Sequence, residues 1–210
     1  MTIEETRELI LKDDTFVLEE VKKLQKIYKL KYEIRYAQKR TEGDLTESVA
    51  EHTWGMHVIA DYFLLLEDSE ASWDKQKISS MITWHDADEI ITGDIISYEK
   101  AMEHSINERE IRNEVLTLLP ETLTSSLNII FDEYAEKHTI ESKFVKAIDK
   151  IEGYIQMYQS GYEPVLHSFG RSQPQSHTVI GQHVKRFPYI NRFYKVLDDV
   201  LDKEGYFVKL

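Results

Sequence analysis

Apolar residues recur at helical spacing along most of this chain, and the clearest example lies between residues 49 and 66. One stripe of five residues has offsets of 0, 4, 7, 11 and 14: His52, Met56, Ile59, Phe63 and Leu66. Because a helix turns once in about 3.6 residues, this spacing puts all five side chains on one face. The pattern predicts an amphipathic helix, Val49–Leu66, whose inner face carries a histidine.

Similar periodicity predicts helices at six other places: Phe16–Leu30, Lys77–Ile91, Ser97–Leu118, Glu121–Lys137, Ile140–Ser160 and Tyr189–Lys203. Only 8 glycines and 4 prolines interrupt the 210 residues, which favours helices. No segment alternates convincingly with a period of two. The sequence therefore predicts an all-α fold, a single globular bundle of about seven or more helices over residues 1–210.

Breaker residues concentrate in His167–Thr178, which we predict to be a loop or an ordered excursion. The segment after it is rich in aromatic residues: Phe187, Tyr189, Phe193 and Tyr194. Two interpretations stay open for these side chains. They pack against a second copy in a homodimer, or they close the core of their own chain.

Composition excludes several classes of function. The net charge is −12, and such an acidic surface repels a nucleic acid duplex. There is no cysteine, which excludes disulfides, thiolate metal sites and a cysteine nucleophile. The N-terminal residues lack the pattern of a signal peptide, and no apolar run is long enough to span a membrane. We expect a cytoplasmic protein without a membrane partner.

The stretch "TWHDADEIITGD", Thr83–Asp94, sets five ionisable residues among apolar ones: His85, Asp86, Asp88, Glu89 and Asp94. Charges in apolar surroundings are unfavourable unless they are paired or bound to something. On the residues alone, a solvated helix end remains an alternative for this stretch.

Two more ionisable residues lie on predicted apolar faces. His52 belongs to the inner stripe of its helix, where a core histidine with one hydrogen bond is the common case. Asp149 lies on or next to the buried face of "KFVKAIDKIEGYIQ", where a salt bridge with a lysine or arginine would stabilise it. Neither residue alone indicates a functional site.

Four blocks together resemble the HD-domain metal-dependent phosphohydrolases, above all the bacterial 5′-deoxynucleotidases and their eukaryotic relatives. The blocks are "IRYAQKR" at Ile34–Arg40, "ESVAEH" at Glu47–His52, "HDADEIITGD" at His85–Asp94 and "KAIDKIEGYI" at Lys146–Ile155. The resemblance covers about residues 20–160, which implies an HD-domain core there and a helical extension over about residues 161–210.

The resemblance implies one metal centre with four ligands: His52, His85, Asp86 and Asp149. Two imidazoles and two carboxylates suit a divalent first-row ion such as Mn, Co, Ni or Zn, and suit Mg less well. Two carboxylates also cancel the charge of the ion. The metal set would explain why His85 and Asp86 lie among apolar neighbours.

The resemblance further implies roles around the metal. Glu89 would be catalytic, activating water or relaying a proton, with a solvent-facing helix charge as its alternative. Asp94 would border the sugar, or would cap the next helix. Arg35 would hold the substrate phosphate, or would form a surface salt bridge. Tyr36 would line the pocket, where bacterial members have Trp, and Asp88 is expected to face water.

The implied activity is metal-dependent removal of phosphate from (deoxy)nucleoside 5′-monophosphates, so a small nucleotide is the expected partner. One alternative is a nucleoside triphosphate triphosphohydrolase, which releases tripolyphosphate. A second is a protein without catalysis, in which the metal joins helices and a nucleotide is sensed.

Overall fold

The computed structural model describes residues 1–35, 46–94, 108–158 and 170–209. Its helices, in chain order, are α1 Ile3–Lys12, α2 Asp14–Ile27, α3 Val49–Glu67, α4 Lys75–Trp84, α5 Glu89–Thr92, α6 Glu108–Leu118, α7 Glu121–Glu136, α8 Ile140–Met157, α9 Gln173–Ser176, α10 Gln182–Val184 and α11 Pro188–Lys203. Within these residues there is one isolated β-bridge, between Ile34 and Ser48, and no extended strand. The predicted all-α fold is confirmed.

Apolar periodicity does not predict the N-terminal helix α1. A capping box stabilises its first turn. The side chain of Thr2 accepts the backbone N–H of Glu5, and the carboxylate of Glu5 accepts the backbone N–H of Thr2. Asp13 caps α2 by accepting the N–H groups of Thr15 and Phe16. Such caps satisfy amide groups that have no partner within a helix.

Helix α8 lies at the centre of the fold and packs against α3, α4 and α11. The side chains at these contacts are almost completely buried and come from all four helices: Met56, Phe63, Ile78, Ile82, Phe144, Ile148, Ile151, Ile190 and Leu201. Burying one such side chain stabilises a fold by about 1.5–3 kcal/mol. This core fixes the relative positions of the three helices that carry the predicted metal ligands.

The predicted helix Lys77–Ile91 is interrupted, which corrects that prediction. Helix α4 ends at Trp84, and α5 begins at Glu89. Between them the N–H of Ala87 donates to the carbonyl of Trp84 at 3.1 Å, and that of Glu89 to the carbonyl of Asp86 at 3.1 Å. These three-residue steps tighten the backbone into a turn. His85 and Asp86 therefore lie on a turn, where neighbouring side chains can converge.

The C-terminal segment is joined to α8 through a buried polar cluster. Asp198 on α11 accepts hydrogen bonds from Tyr154 at 3.1 Å, Gln173 at 2.8 Å and His177 at 2.5 Å. Tyr154 also contacts the hydroxyl of Ser176. We interpret residues 170–209 as part of the same domain as the core, because both contribute to one apolar cluster.

Part of the predicted loop His167–Thr178 is helical. Ser172 and Gln175 form a capping box, and Pro174 occupies the first turn, where its missing N–H is harmless. A π-helical turn, His177–Gly181, follows directly. Of the predicted aromatic group, Phe187 and Tyr194 are buried, whereas Tyr189 and Phe193 are 49% and 39% exposed. No helix among the described residues is long and apolar enough to cross a membrane.

Candidate metal centre

The first candidate ligand, His52, lies in the first turn of α3. Ser48 caps this helix by accepting the N–H of Glu51, and the bridge from Ser48 to Ile34 anchors the preceding backbone. His52 is completely buried, and its ring lies 5.5 Å from the ring of His85, measured between centroids. The two histidines, 33 positions apart, thus face each other across α3 and the end of α4.

The imidazole of His52 has its two nitrogens in different surroundings. Nδ1 lies 2.5 Å from Oε2 of Glu152, so a proton on Nδ1 donates to that carboxylate. Nε2 is then the lone-pair nitrogen. It is buried, has no hydrogen-bond partner, and lies 3.6 Å from Oδ1 of Asp149. In the neutral imidazole, the contact with Glu152 favours the tautomer that a metal ligand requires.

The two ring nitrogens of His85 also lie in different surroundings. Its Nδ1 donates to the carbonyl of Ile82 at 2.9 Å, one turn earlier, and its Nε2 is buried without a hydrogen-bond partner. Oδ2 of Asp86 lies 2.9 Å from that Nε2. Although burial raises the pKa of Asp86, the adjacent imidazole of His85 holds it well below its usual range. Asp86 is therefore an anion beside the buried Nε2 atoms of His52 and His85.

Ligand atoms of His52, His85 and Asp86 all lie within 4.8 Å of one another. Atoms bound to one ion, each about 2.1 Å from it, are separated by roughly 3–4 Å. The geometry and the two buried Nε2 atoms fit a divalent ion. Asp149, on α8, approaches the group through its contact with His52.

Asp149 is also held by two ammonium groups. Its Oδ2 lies 2.6 Å from Nζ of Lys146 and 3.2 Å from Nζ of Lys150. Although burial raises the pKa of Asp149, Lys146 and Lys150 hold it well below its usual range. The salt bridge expected as its alternative is thus present, and it leaves Oδ1 directed toward His52.

Behind His52 lies a set of charged side chains: Arg35, and Glu47 and Glu152, for which the sequence predicted no role. Nη1 of Arg35 lies 2.7 Å from Oε1 of Glu47, 3.5 Å from Oε2 of Glu152 and 2.7 Å from Nδ1 of His52. Burial and the charge of Glu152 raise the pKa of Glu47. Burial and Arg35 lower the pKa of His52, but hydrogen bonds with Asp149 and Glu152 outweigh them and raise it to about 9. A metal ion that binds Nε2 would therefore displace a proton from it.

Gly55 makes room for Glu152. A Cβ at position 55 would lie 2.7 Å from Oε1 of Glu152, closer than real Cβ contacts allow. The absence of a side chain at Gly55 lets the carboxylate of Glu152 lie against α3 and reach His52. A helical signal for Glu152 exists in the sequence, since it follows Asp149 by three residues on the same face of α8. Glu47 has no comparable local signal.

The other predicted residues are distributed around this centre. Glu89 is buried at the start of α5, three residues after Asp86, so its solvent-facing alternative is wrong. Asp94 is half-buried, and its N–H lies 3.4 Å from Oε1 of Glu33. Asp88, expected to face water, is half-buried. Tyr36 lies outside the described residues.

Arg35 is placed on the Nδ1 side of His52, away from Nε2, and its side chain is 12% exposed. The alternative expected for Arg35 was a surface salt bridge. Arg35 does form a salt bridge, with Glu47, but the pair is buried. Its role toward a phosphate stays a prediction.

Known proteins with related sequences were found in animals, fungi and bacteria. A human 5′-deoxynucleotidase is 33% identical over 130 residues, which are 60% of this chain and 60% of the human protein. A Schizosaccharomyces pombe 5′-deoxynucleotidase is 31% identical over 119 residues, 54% of this chain and 58% of the yeast protein. The matched part is thus about three fifths of the length of these relatives.

The fold also matches solved structures. A "predicted metal-dependent phosphohydrolase" from Magnetospirillum magnetotacticum superposes with a TM-score of 0.73 and 21% identity, covering 92% of this chain and 98% of the other. A Pyrococcus furiosus protein matches with a TM-score of 0.55, also at 21% identity, covering 83% of this chain and 99% of the other. At this identity, the likeness shows the fold alone. The model of the HD domain matches residues 27–187, and so this chain, with its paired histidines and aspartates, belongs to the HD domain family.

Proposed function

We propose that this protein is a divalent-metal-dependent phosphohydrolase acting on (deoxy)nucleoside 5′-monophosphates. The observation that carries the proposal is the pair of buried Nε2 atoms, on His52 and His85, that lack hydrogen-bond partners beside the anionic Asp86. The names of the relatives, 5′-deoxynucleotidases, support the substrate class.

His52, His85, Asp86 and Asp149 would hold one ion, for which Mn, Co, Ni and Zn are the leading candidates and Mg a weaker one. When bound, such an ion lowers the pKa of coordinated water and polarises a phosphoryl oxygen. Glu152 and the carbonyl of Ile82 hold the protons of the two Nδ1 atoms and so keep both Nε2 atoms available.

The residues around the metal have separate proposed roles. Glu89, buried one turn after Asp86, would accept the proton of the attacking water or relay it. Asp94 would border the sugar and contribute to catalysis by positioning the substrate. Arg35 and Tyr36 would contact the substrate, with Arg35 directed to its phosphate.

The experiment that tests this proposal measures products from a panel of nucleoside mono-, di- and triphosphates, each with Mn, Co, Mg and Zn. Inorganic phosphate and nucleoside from a deoxynucleoside monophosphate would support it. Tripolyphosphate from a triphosphate would instead support the triphosphohydrolase alternative. No turnover with any metal, together with nucleotide binding, would support a sensing protein.

A matched pair of variants tests the role of Glu89. Glu89→Gln is expected to keep the metal and the fold but to lose turnover by about 10²–10⁴-fold, the usual contribution of a general base. Glu70→Gln, at an exposed position, is the control. Wild-type turnover in Glu89→Gln would remove Glu89 from the mechanism.

A homodimer in the cytoplasm is also part of the proposal. Helix α3 presents an exposed apolar stripe: Trp54, Val58, Tyr62 and Leu65, of which Trp54 is 71% and Leu65 77% exposed. Phe193 of α11 continues it by contacting Tyr62. Sedimentation of the wild type and of Trp54→Ser/Leu65→Ser tests the dimer, and cell fractionation tests the location.

A further inference from the structure

A cavity of about 380 Å³ lies between the end of α7, the first turns of α8 and the chain around α10. Six basic residues line it: Lys137, Lys143, Lys146, His183, Lys185 and Arg186. In the part of the chain that the structure describes, the lining includes no carboxylate. The concentration of positive charge is unexpected in a protein whose net charge is −12.

Three cationic groups of this cavity, those of Lys143, Lys185 and Arg186, have no carboxylate partner among the described residues. Nζ of Lys143 donates to the carbonyl of His138 at 2.8 Å, a neutral acceptor that leaves its full charge in place. Lys185 and Arg186 are exposed residues, and neither has a carboxylate within ion-pair distance among the described residues. Like charges held together in this way favour an anion from solution.

The positive charge around the cavity also affects the pKa of His183. Burial, followed by the charges of Lys146, Lys150 and Lys137, lowers the pKa of His183 to about 4. A neutral imidazole at physiological pH can donate or accept one hydrogen bond without adding to the repulsion. The cavity thus combines ammonium and guanidinium groups with a neutral hydrogen-bonding group.

The size and walls of the cavity indicate the kind of anion. Small-molecule sites typically have volumes of about 300–1,000 Å³ and mostly apolar walls. Here the lining residues include Phe187 and four lysines. A lysine has a long alkyl stem with its charge at the end. Such a cavity suits a phosphate attached to an organic group, because ammonium groups contact the phosphate and the apolar walls contact the remainder.

The cavity is distinct from the metal centre. His52, His85, Asp86, Asp149 and Glu89 do not line it. The link is Lys146, which lines the cavity and lies 2.6 Å from Oδ2 of Asp149. An anion in the cavity would compete with Asp149 for this ammonium group.

We propose that this lysine-rich cavity is a second binding site, separate from the metal centre, for a small phosphate ester of the nucleotide class. The site does not depend on the proposed hydrolysis. Because Lys146 contacts both places, occupancy of the cavity and metal binding at Asp149 are coupled through it, and such coupling is reciprocal.

Calorimetric titration of the metal-loaded protein tests the proposal, with inorganic phosphate and a nucleoside 5′-phosphonate as separate probes. The phosphonate has a carbon in place of the ester oxygen and is not hydrolysed. We expect about two equivalents of phosphonate per chain for the wild type, one at the metal and one in the cavity. Lys185→Gln/Arg186→Gln should weaken the second event about tenfold or more, since each change removes a charge-assisted contact. Second-site binding of inorganic phosphate alone would contradict the ester class.

Lys195→Gln/Lys203→Gln is the matched control, because it removes the same charge from two exposed positions of α11. The control should bind both equivalents with wild-type affinity. Wild-type binding that Lys185→Gln/Arg186→Gln leaves unchanged would overturn the proposal, whether one or two equivalents bind. A single equivalent that this variant weakens would support the cavity site and would contradict nucleotide binding at the metal. Equal weakening in both double variants would assign the effect to net charge and would also overturn it.

Discussion

Oε2 of Glu152 lies 2.5 Å from Nδ1 of His52, and this contact decides which nitrogen of the imidazole faces the metal centre. With its proton held on Nδ1, His52 presents the lone pair of Nε2 toward Asp86 and Asp149. Carboxylates behind metal-binding histidines orient the ring and increase its basicity. Glu152 is therefore a positioning residue for the first ligand.

Replacing Glu152 by Gln should weaken metal binding by about 10–100-fold, the usual effect of losing such a partner. Competition with a chromophoric chelator measures the affinity. Glu70→Gln serves as control, since Glu70 is exposed. Unchanged affinity in Glu152→Gln would show that metal binding does not need the negative charge of Glu152.

Gly55→Ala should change metal binding much more than it changes the stability of α3. Alanine in a helix interior stabilises by about 0.5–1 kcal/mol relative to glycine. Here its Cβ would lie 2.7 Å from Oε1 of Glu152, so the carboxylate must move away from His52. We expect weaker metal binding with a small change in the free energy of unfolding.

Gly181→Ala is the control for that variant, because its Cβ would meet Tyr194 at an ordinary 3.8 Å. Equal metal affinities in Gly55→Ala and Gly181→Ala would show that the position of Glu152 does not matter for the metal.

The periodicity of the sequence was enough to predict the all-α fold and most of the central helices. It did not predict α1, which depends on the Thr2–Glu5 capping box, nor the break between α4 and α5. In that break, three-residue backbone hydrogen bonds replace the helical pattern. Pattern alone also could not bring together residues as distant in sequence as Arg35, Glu47 and Glu152, because long-range pairing leaves no local periodicity.

Arg35→Ala should destabilise the protein by about 3 kcal/mol, since breaking a buried ion pair leaves a charge uncompensated. Arg35 and Glu47 are 12% and 7% exposed and lie 2.7 Å apart. The free energy of unfolding in urea measures the effect, and adding Glu47→Gln should restore part of it. A rise in KM with unaltered stability would instead favour a direct contact of Arg35 with the substrate phosphate.

His183 should make the free energy of unfolding depend on pH, in a direction set by its lowered pKa. Burial and the nearby lysines lower this pKa from 6.5 to about 4, so protonation favours the unfolded chain. The stabilisation is present above pH 6.5 and is lost as pH falls toward 4. Between pH 7 and 5 we expect a loss of about 1 kcal/mol, reduced by solvent because the ring is half-buried.

Urea unfolding of His183→Gln and the wild type at both pH values, in buffers without phosphate, checks this expectation. The variant should lose less stability on acidification than the wild type. His138→Gln, whose ring is 80% exposed, is the control and should behave as the wild type. The same loss in all three proteins would show that His183 does not experience the proposed positive field.

The central claim is that the two histidines and the aspartate of the α3–α4 region, with Asp149, bind one ion. Elemental analysis of metal per chain tests it most directly, for the wild type, His85→Gln, Asp86→Asn and the exposed control Asp199→Asn. We predict about one divalent ion per chain in the wild type and control, and far less in His85→Gln and Asp86→Asn, since each loses a ligand. Wild-type metal content in both of those variants would contradict the proposed metal centre.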